Sequence, residues 1–387
     1  MKKSAKVLSL VMAAAMMCAA FAGCGKKSYT ANNKEYVIGV SGPLTGAAAI
    51  YGNGVKNGAQ LAVDEINAAG GLNGVKFRLE VTDDMHDATK VATNYASLLE
   101  KGMQVSLGCV TSAPCAEWTN LSHEDNVFFL TPSASNDDIP KYDNGYQMCF
   151  ADGDQGKAAA SYVNENFKGQ TIGVFYKSDD NYSSGIFKQF KSNLDSSVKV
   201  VETLFTDAGA TSFDSQINEL KDCKFIFMPI YYTPATIFMT QAKGKIADDA
   251  VYYGCDGFDG IDSTKGFDIK SIPQEVSMLS HFDSSATTGA AGDFIKKYTE
   301  KYGKETLNQF GASAYDCVYA IYGAMKEAKV DDVTISASDL CDVLKDTFKT
   351  YKLKNAVTGG GSDVAWNKDG KVKKSAIKFV IKEADKA

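Results

Sequence analysis

Short apolar segments alternate along this chain with segments of helical periodicity, and this alternation restricts the possible folds more than any other feature. The segment 36–40 is typical of a strand, apolar residues then recur at helical spacing from Val55 to Ala69, and 77–81 alternates as a second strand. The same pattern predicts strands at 104–110, 127–131, 171–176, 199–205, 223–231 and 250–255, and helices at 88–101, 113–124, 156–167, 184–194, 212–221 and 234–243. Short strands separated by helices of about 10–15 residues are typical of parallel, doubly wound sheets.

The alternation falls into two series, and the second begins near Gln155. A chain of 387 residues is long enough for two domains of ordinary size. We therefore expect an α/β protein with two doubly wound lobes. The C-terminal part departs from the pattern: helices are predicted near 288–302 and 309–328, followed by an antiparallel pair around 367–370, where Asp369-Gly370 suits a tight turn.

The N-terminus is typical of a secreted protein. Residues 1–23 contain three lysines, then an apolar run, then small residues before Cys24, as in a signal peptide. A membrane-spanning anchor is the alternative, but it needs ~20 apolar residues and this run is shorter. The segment 21–24 resembles a bacterial lipobox, with Phe21 where leucine is usual. We expect acylation of Cys24 and a lipid-anchored tether over 24–34, with a secreted protein lacking the lipid as the alternative.

Composition and charge exclude several classes of protein. With 44% hydrophobic and 23% charged residues the chain can bury a large core, which excludes widespread disorder. Its net charge of −6 becomes −9 once the three signal-peptide lysines are removed, and this balance argues against nucleic-acid binding. Of the 41 basic residues only Arg78 is an arginine, and it lies within the predicted second strand. We therefore expect no guanidinium at the strand ends where a ligand would bind.

The sequence shows no signature of a catalytic, metal or cofactor site. It lacks the GxxxxGK[ST], GxSxG and HExxH patterns, and the glycines of 52–58 do not have GxGxxG spacing. Acid pairs such as Asp83-Asp84 are expected at solvated strand or helix ends. Seven cysteines follow Cys24, an odd number without a CxxC pair; we expect buried free thiols, with one disulfide as the alternative. The isolated histidines are His86, His123 and His281, and the seven cysteines are Cys109, Cys115, Cys149, Cys223, Cys255, Cys317 and Cys341.

The residues that follow the predicted strands are the candidates for ligand contact, because ligands of open α/β sheets bind beyond the carboxyl ends of the strands. In the first series these residues are small and hydroxylated, at 41–46, 111–113 and 131–135. In the second series they are aromatic or acidic, at 177–182, 231–232 and 256–257. The two series therefore offer hydroxyl groups on one side and tyrosines with a carboxylate on the other.

Five motifs in order along the chain resemble one family. They are the lipobox, IGVSGPLTG, NGAQLAVDEINAAGGLNG, TPSAS and VTGGGSDVAWNKDG. Together they resemble the extracellular amino-acid-binding proteins of ABC importers, closest to the branched-chain (Leu/Ile/Val) group, over about 35–382. The resemblance implies the type I periplasmic-binding-protein clamshell, with three hinge crossings. It implies lobe one at 30–151 plus 284–355, and lobe two at 152–283 plus 356–387.

The resemblance also implies a ligand site. The α-carboxylate would be bound by Ser112 and by the TPSAS loop through the Ser133 N–H and the Ser135 hydroxyl. The ammonium would be bound by Asp256, where the family usually has glutamate, with Tyr182 and Tyr231. The aromatic side chains of Tyr51 and Phe310 would line the side-chain pocket. Without the resemblance, Ser112 and Ser135 would be read as helix N-caps and Tyr231 as a strand-end aromatic over the core. The family's first-lobe disulfide is not reproduced, because His86 stands at one of its cysteine positions.

The family implies a function of capture and delivery. An amino acid, branched-chain or otherwise apolar, would be trapped between closing lobes and passed to a membrane permease with its ATPase. The protein would be a monomer, anchored outside the cytoplasm through Cys24, and would bind no nucleic acid. A short amide, urea or an aromatic acid is an alternative ligand. A clamshell sensor and a secreted hydrolase are the alternative functions, although a hydrolase would need a nucleophile–base pair or a metal.

Overall fold

The fold is known from a computed structural model that describes residues 29–207 and 209–385. The expected signal peptide and the acylation site at Cys24 lie outside the described residues. Within the described part of the chain, no helix has the combined length and hydropathy needed to cross a bilayer.

The first lobe is built on a five-stranded parallel sheet of order β2-β1-β3-β4-β5. Its strands are β1 (Tyr36–Gly42), β2 (Phe77–Asp83), β3 (Val105–Cys109), β4 (Phe129–Thr131) and β5 (Gly145–Gln147). The helices that connect these strands are α1 (Ala49–Ala68), α2 (Val91–Glu100) and α3 (Ser112–Glu124). β1 is buried along its whole length because helices cover both faces of the sheet, which explains its continuous apolar sequence.

The second lobe repeats this plan on a six-stranded sheet of order β13-β10-β9-β8-β6-β7. Its strands are β6 (Thr171–Lys177), β7 (Lys199–Phe205), β8 (Phe225–Met228), β9 (Val251–Gly254), β10 (Glu275–Ser280) and β13 (Ile377–Lys382). Its helices are α4 (Asp152–Asn166), α5 (Asn181–Asn193), α6 (Asp214–Leu220) and α7 (Tyr232–Ala242). All neighbours are parallel except β13, which runs antiparallel to β10 at the edge of the sheet.

The chain then returns to the first lobe before it adds β13. The returning elements are α8 (Gly289–Tyr302), α9 (Gln309–Glu327), α10 (Ala337–Phe348) and the short pair β11 (Lys352–Leu353) and β12 (Val364–Ala365). The chain thus passes between the two sheets three times, at 148–151, 281–288 and 366–376. The predicted fold of two doubly wound lobes with three crossings is confirmed, while the predicted residue limits of the lobes remain a prediction.

Most predicted elements are present. Three observed strands were not predicted, and one predicted strand and one predicted hairpin are shorter than expected. β5 has only three residues, and β10 and β13 lie outside the strand–helix alternation used for the prediction. The strand predicted at 223–231 ends at Met228, because the chain turns there towards α7. The antiparallel pair expected around 367–370 is reduced to a single bridge between Trp366 and Val372, with Gly370 N donating to Asn367 O in the turn.

Glycines on α1 bring this helix against α9. A Cβ at Gly58 would collide with the Gly311 carbonyl oxygen, and one at Gly54 would collide with the side chain of Asn308. The sequence 52–58 is therefore a helix-packing surface. Since α1 carries Tyr51 and α9 begins beside Phe310, this packing brings the two aromatic side chains to the same place.

The buried polar and sulfur-containing residues correct one prediction and support another. Asp84 is fully buried rather than solvated. Its burial is tolerated because its Oδ2 accepts a hydrogen bond from Ser41 Oγ at 3.0 Å. The seven described cysteines are all buried and unpaired, as expected for structural thiols. Arg78 lies on β2 and pairs with Glu35 and Glu80, away from the strand ends.

Candidate ligand-binding site

One small cavity lies between the lobes, at the carboxyl ends of strands from both sheets, and its lining side chains are largely buried. All eight residues that the sequence predicts for the site line it, together with three further residues. The lining residues are Tyr51, Val110, Thr111, Ser112, Ser133, Ser135, Tyr182, Tyr231, Asp256, Gly257 and Phe310. Proximity alone does not assign their roles, so the ligand contacts of the eight residues remain a prediction.

The first-lobe wall consists of the start of α3 and the loop after β4. α3 begins at Ser112 with Thr111 in the N-cap position, and no side chain caps its first turn. The helix therefore presents free N–H groups and the positive end of its dipole towards the cavity. The helix predicted over 113–124 begins one residue earlier, so the alternative reading of Ser112 as its N-cap is wrong. Ser133 and Ser135 are buried in the neighbouring loop.

The second-lobe wall is centred on Asp256, which follows β9 and is only 1% exposed. Its Oδ1 accepts a hydrogen bond from the Tyr182 hydroxyl at 2.7 Å, and its backbone N–H donates to Gln155 Oε1 at 2.9 Å. The same hydroxyl accepts a hydrogen bond from Gly257 N at 2.8 Å. The other carboxylate oxygen, Oδ2, has no hydrogen-bond partner among the described residues. Burial raises the pKa of Asp256 to about 6.

Tyrosine and phenylalanine rings form the remaining wall. Tyr51 meets Phe310 edge to face with ring centroids 5.1 Å apart, and Tyr182 stacks on Tyr231 at 4.7 Å. Burial raises the pKa of each of the three tyrosines well above the ordinary value, so their hydroxyls stay neutral donors. The cavity is therefore apolar at this side and polar at its two ends.

Hydrogen bonds across the cleft hold the lobes in a closed arrangement. The Tyr51 hydroxyl donates to Gly257 O at 2.5 Å, and Thr233 Oγ1 donates to Ala47 O at 2.7 Å. Gln309 N at the start of α9 donates to Asp259 Oδ2 at 2.8 Å. These bonds join α1, the loop before it and the start of α9 to the loop that follows β9 and to the first turn of α7.

Two residues near the cavity, Gln155 and His86, are not among the predicted site residues. Gln155 orients Asp256 from α4, and nothing local in the sequence indicates that contact. His86 follows β2 and lies within hydrogen-bonding distance of Thr111, with Nδ1 and Oγ1 2.8 Å apart. The strand-end rule would have found His86 if it had been applied to the second strand as well as to the others.

The sequence and structure match known proteins over most of their length. The family model for periplasmic binding proteins matches residues 35–370. A leucine-, isoleucine-, valine-, threonine- and alanine-binding protein of Pseudomonas aeruginosa is 30% identical over 264 residues, 66% of this chain and 68% of the relative. A Leu/Ile/Val-binding protein of Rhizobium johnstonii is 31% identical over 229 residues, 58% of this chain and 62% of the relative, so the chain spans less than two thirds of that protein.

A solved structure shows the same architecture. The branched-chain amino acid transporter substrate-binding protein of Streptococcus pneumoniae, in complex with isoleucine, superposes with a TM-score of 0.74 at 27% identity, covering 89% of this chain and all of the other. The family consists of substrate-binding proteins, which act outside the cytoplasm. The described chain therefore belongs to the periplasmic binding protein family, with the type I two-lobed fold.

Proposed function

We propose that this protein captures a free amino acid, branched-chain or otherwise apolar, between its two lobes and delivers it to the permease of an ABC importer. The observation that carries the proposal is Asp256 Oδ2, a buried carboxylate oxygen without a hydrogen-bond partner among the described residues, in a cavity that is also lined by the uncapped start of α3. A zwitterion of opposite polarity at its two ends satisfies both groups at once. The names of the relatives, which bind leucine, isoleucine and valine, support the same ligand class.

The carboxylate of the ligand would bind at the first-lobe wall. Its oxygens accept hydrogen bonds from the hydroxyls of Ser112 and Ser135 and from the N–H of Ser133 and of the first turn of α3. Hydrogen bonds to a charged group contribute ~1.5–3 kcal/mol each, so three or four of them hold the carboxylate without an arginine. The position of Arg78 on β2, paired with Glu35 and Glu80, is in agreement with that arrangement.

The ammonium of the ligand would bind at the second-lobe wall. Asp256 supplies the charge through Oδ2, while Tyr182 holds Oδ1 and so fixes the plane of the carboxylate. Burial deprives the Asp256 carboxylate of water, and a ligand ammonium at this position would supply the missing hydrogen bonds. Its positive charge would also lower the pKa of Asp256, which burial raises. Aspartate is one methylene shorter than the family's usual glutamate, so the ligand must lie closer to the second lobe.

Closure of the lobes would let the protein bind the carboxylate and the ammonium of the ligand at the same time. An open cleft offers the ligand only one wall at a time, whereas the closed cleft satisfies both charges and buries the side chain against Tyr51 and Phe310. Burial of apolar surface contributes ~25 cal/mol per Å², and rings of this kind accept several apolar side chains. The closed form would then dock on a permease with its ATPase.

The N-terminus would hold the protein at the outer face of the membrane. We infer cleavage after residue 23 and acylation of Cys24, from which the tether to residue 34 leads to β1. Two or more acyl chains anchor a protein stably at a bilayer surface, whereas one chain does so only marginally. The protein would act as a monomer, because one chain contains both walls of the site.

Calorimetric titration tests the proposal. The protein is unfolded, freed of bound ligand, refolded, and titrated with each of the twenty amino acids at neutral pH. We expect saturable binding of one or more of leucine, isoleucine and valine, at a stoichiometry of one. Mass spectrometry of the ligand released from natively purified protein identifies the preferred compound independently. Failure of all twenty amino acids to bind refolded protein of native circular dichroism would overturn the proposal.

A further inference from the structure

His86 joins the two walls of the closed cleft, although it does not line the cavity itself. On the first lobe its Nδ1 lies 2.8 Å from Oγ1 of Thr111, the N-cap residue of α3 and a lining residue. Towards the second lobe its ring meets the ring of Tyr231 edge to face, with centroids 5.1 Å apart. One imidazole therefore contacts a residue at the carboxylate end of the cavity and a residue of its tyrosine wall.

The loop that carries His86 is built to hold it in this place. Met85 and His86 both have left-handed backbones, with φ of 56° and 62°; this conformation is uncommon for residues other than glycine, although asparagine, aspartate and histidine adopt it more often than the rest. Two neighbouring carboxylates compensate: Asp83 Oδ1 accepts the Met85 N–H and Asp84 Oδ1 accepts the His86 N–H, each at 2.9 Å. Asp84 is in turn held by Ser41 of β1. Such strain persists where the surrounding structure fixes it, often at functional sites.

We propose that His86 is a positioning residue of the ligand site, which orients Thr111, supports Tyr231 in the closed cleft, and releases both when it is protonated. The inference rests on the proposed amino-acid-binding function and adds a pH dependence to it. A neutral imidazole suits the contact, because its ring is enclosed between Thr111 and Tyr231 when the lobes close.

The charged groups around the His86 ring determine how ligand binding should depend on pH. Asp87 lies on the same loop, and Asp180 and Lys177 approach from the second lobe; burial together with Lys177 lowers the pKa of His86 despite the two carboxylates. Asp180 is the N-cap residue of α5, and its Oδ1 accepts the Ser183 N–H. Burial also raises the pKa of Asp180, and the neighbouring Asp179 adds to that rise.

Whether ligand affinity rises or falls with pH depends on how the pKa of His86 differs between the open and the closed cleft. We expect the ring to be hydrated in the open cleft, where burial would no longer lower its pKa from the ordinary value for histidine, about 6.5. In the closed cleft the charged form is disfavoured, so the closed state is stable above that pH and loses stability as the pH falls through it. Ligand affinity should fall in the same range, and binding near this pH should release a proton.

Three variants separate this role from a merely structural one. His86→Asn keeps an amide nitrogen and oxygen near the position of Nδ1, tolerates the left-handed backbone and does not titrate. His86→Ala removes the hydrogen bond. His123→Asn, on the exposed side of α3 where the ring stacks on Tyr142, is the matched control for loss of a histidine.

The experiment is calorimetric titration with leucine, isoleucine and valine between about pH 5 and pH 8, in buffers of different ionisation enthalpy so that proton release is counted. At pH 8 we expect H86A to bind about three- to tenfold more weakly than the wild type, and H86N to recover part of that loss. On acidification the wild type and H123N should lose more affinity than H86N does. H86N should also release fewer protons on binding.

The comparison between variants is necessary because Asp256, with its pKa of about 6, also weakens binding in acid. That contribution is shared by all variants, so the difference between the wild-type and H86N curves belongs to His86. Parallel curves with equal proton release would overturn the inference while leaving the proposed function intact. Absence of amino-acid binding by the wild type at pH 8 would overturn the proposed function and this inference together.

Discussion

Replacement of Asp256 by asparagine tests the centre of the proposed site, because it removes the charge and keeps the shape. In Asp256→Asn the new amide oxygen can still accept the Tyr182 hydroxyl that Oδ1 accepts in the wild type at 2.7 Å. The new amide N–H₂ group then occupies the position of Oδ2 and points donors at the ligand's ammonium. We expect affinity for the preferred amino acid to fall by ~2–5 kcal/mol, roughly 30- to 5,000-fold, the cost of leaving a buried charge unpaired.

The same substitution should have the opposite effect on the ligand-free protein. Burial raises the pKa of Asp256 from 3.8 to about 6, so this carboxyl stabilises the fold below about pH 4 and loses that contribution as the pH rises through about 6. The shift corresponds to ~3 kcal/mol at pH 8. D256N has no charge to bury, so its free energy of unfolding at pH 8 should exceed that of the wild type by up to this amount. The difference should vanish near pH 4.

Calorimetric titration measures the affinity, and denaturant unfolding at the two pH values measures the stability. Asp262, an exposed carboxylate in the loop that follows Asp256, provides the matched control Asp262→Asn, which should change neither quantity. An unchanged dissociation constant in D256N would remove Asp256 from the ligand site. Loss of affinity together with lower stability at pH 8 would refute the reasoning about the buried charge.

Three further substitutions test other parts of the site and of the anchor. Ser112→Ala removes the hydroxyl that we propose as a donor to the ligand carboxylate, and with it the acceptor of the Asn136 N–H at 3.2 Å. Calorimetry should show a loss of ~1.5–3 kcal/mol in affinity, and equal affinity would exclude the hydroxyl from the contact. Tyr51→Phe removes the hydrogen bond to Gly257 O that joins the lobes at 2.5 Å, and ligand binding should weaken by ~0.5–1.5 kcal/mol. Small-angle scattering of the ligand-free variant should show a larger radius of gyration than that of the wild type. An unchanged radius would contradict a role of this hydrogen bond in closure. Cys24→Ala should move the protein from the membrane fraction to the medium with unchanged ligand affinity, whereas retention at the membrane would contradict acylation of Cys24.

Sequence reasoning succeeded where burial leaves a local trace. The strands β1, β6 and β7 are visible as short apolar or alternating runs. The covering helices show a 3.6-residue period, because each helix buries one face whatever its partners are. It failed for β10 and β13, which pair only because the third crossing brings distant parts of the chain to one sheet edge. It also misjudged Asp84, whose burial depends on Ser41 of a neighbouring strand.

The sequence by itself determined the two α/β lobes and the chemical character of their strand-end loops, hydroxylated in the first series and tyrosine- and acid-rich in the second. It also determined that the sole arginine, Arg78, lies within a strand and away from the strand-end loops. Only the tertiary structure decided that Asp256 Oδ2 is left without a partner among the described residues, that Thr111 rather than Ser112 occupies the N-cap, and that His86 lies between the two walls. The reason is physical: periodicity records which face of a segment is buried, whereas a site between two lobes depends on contacts between residues as far apart as Tyr51 and Gly257, which no local pattern encodes.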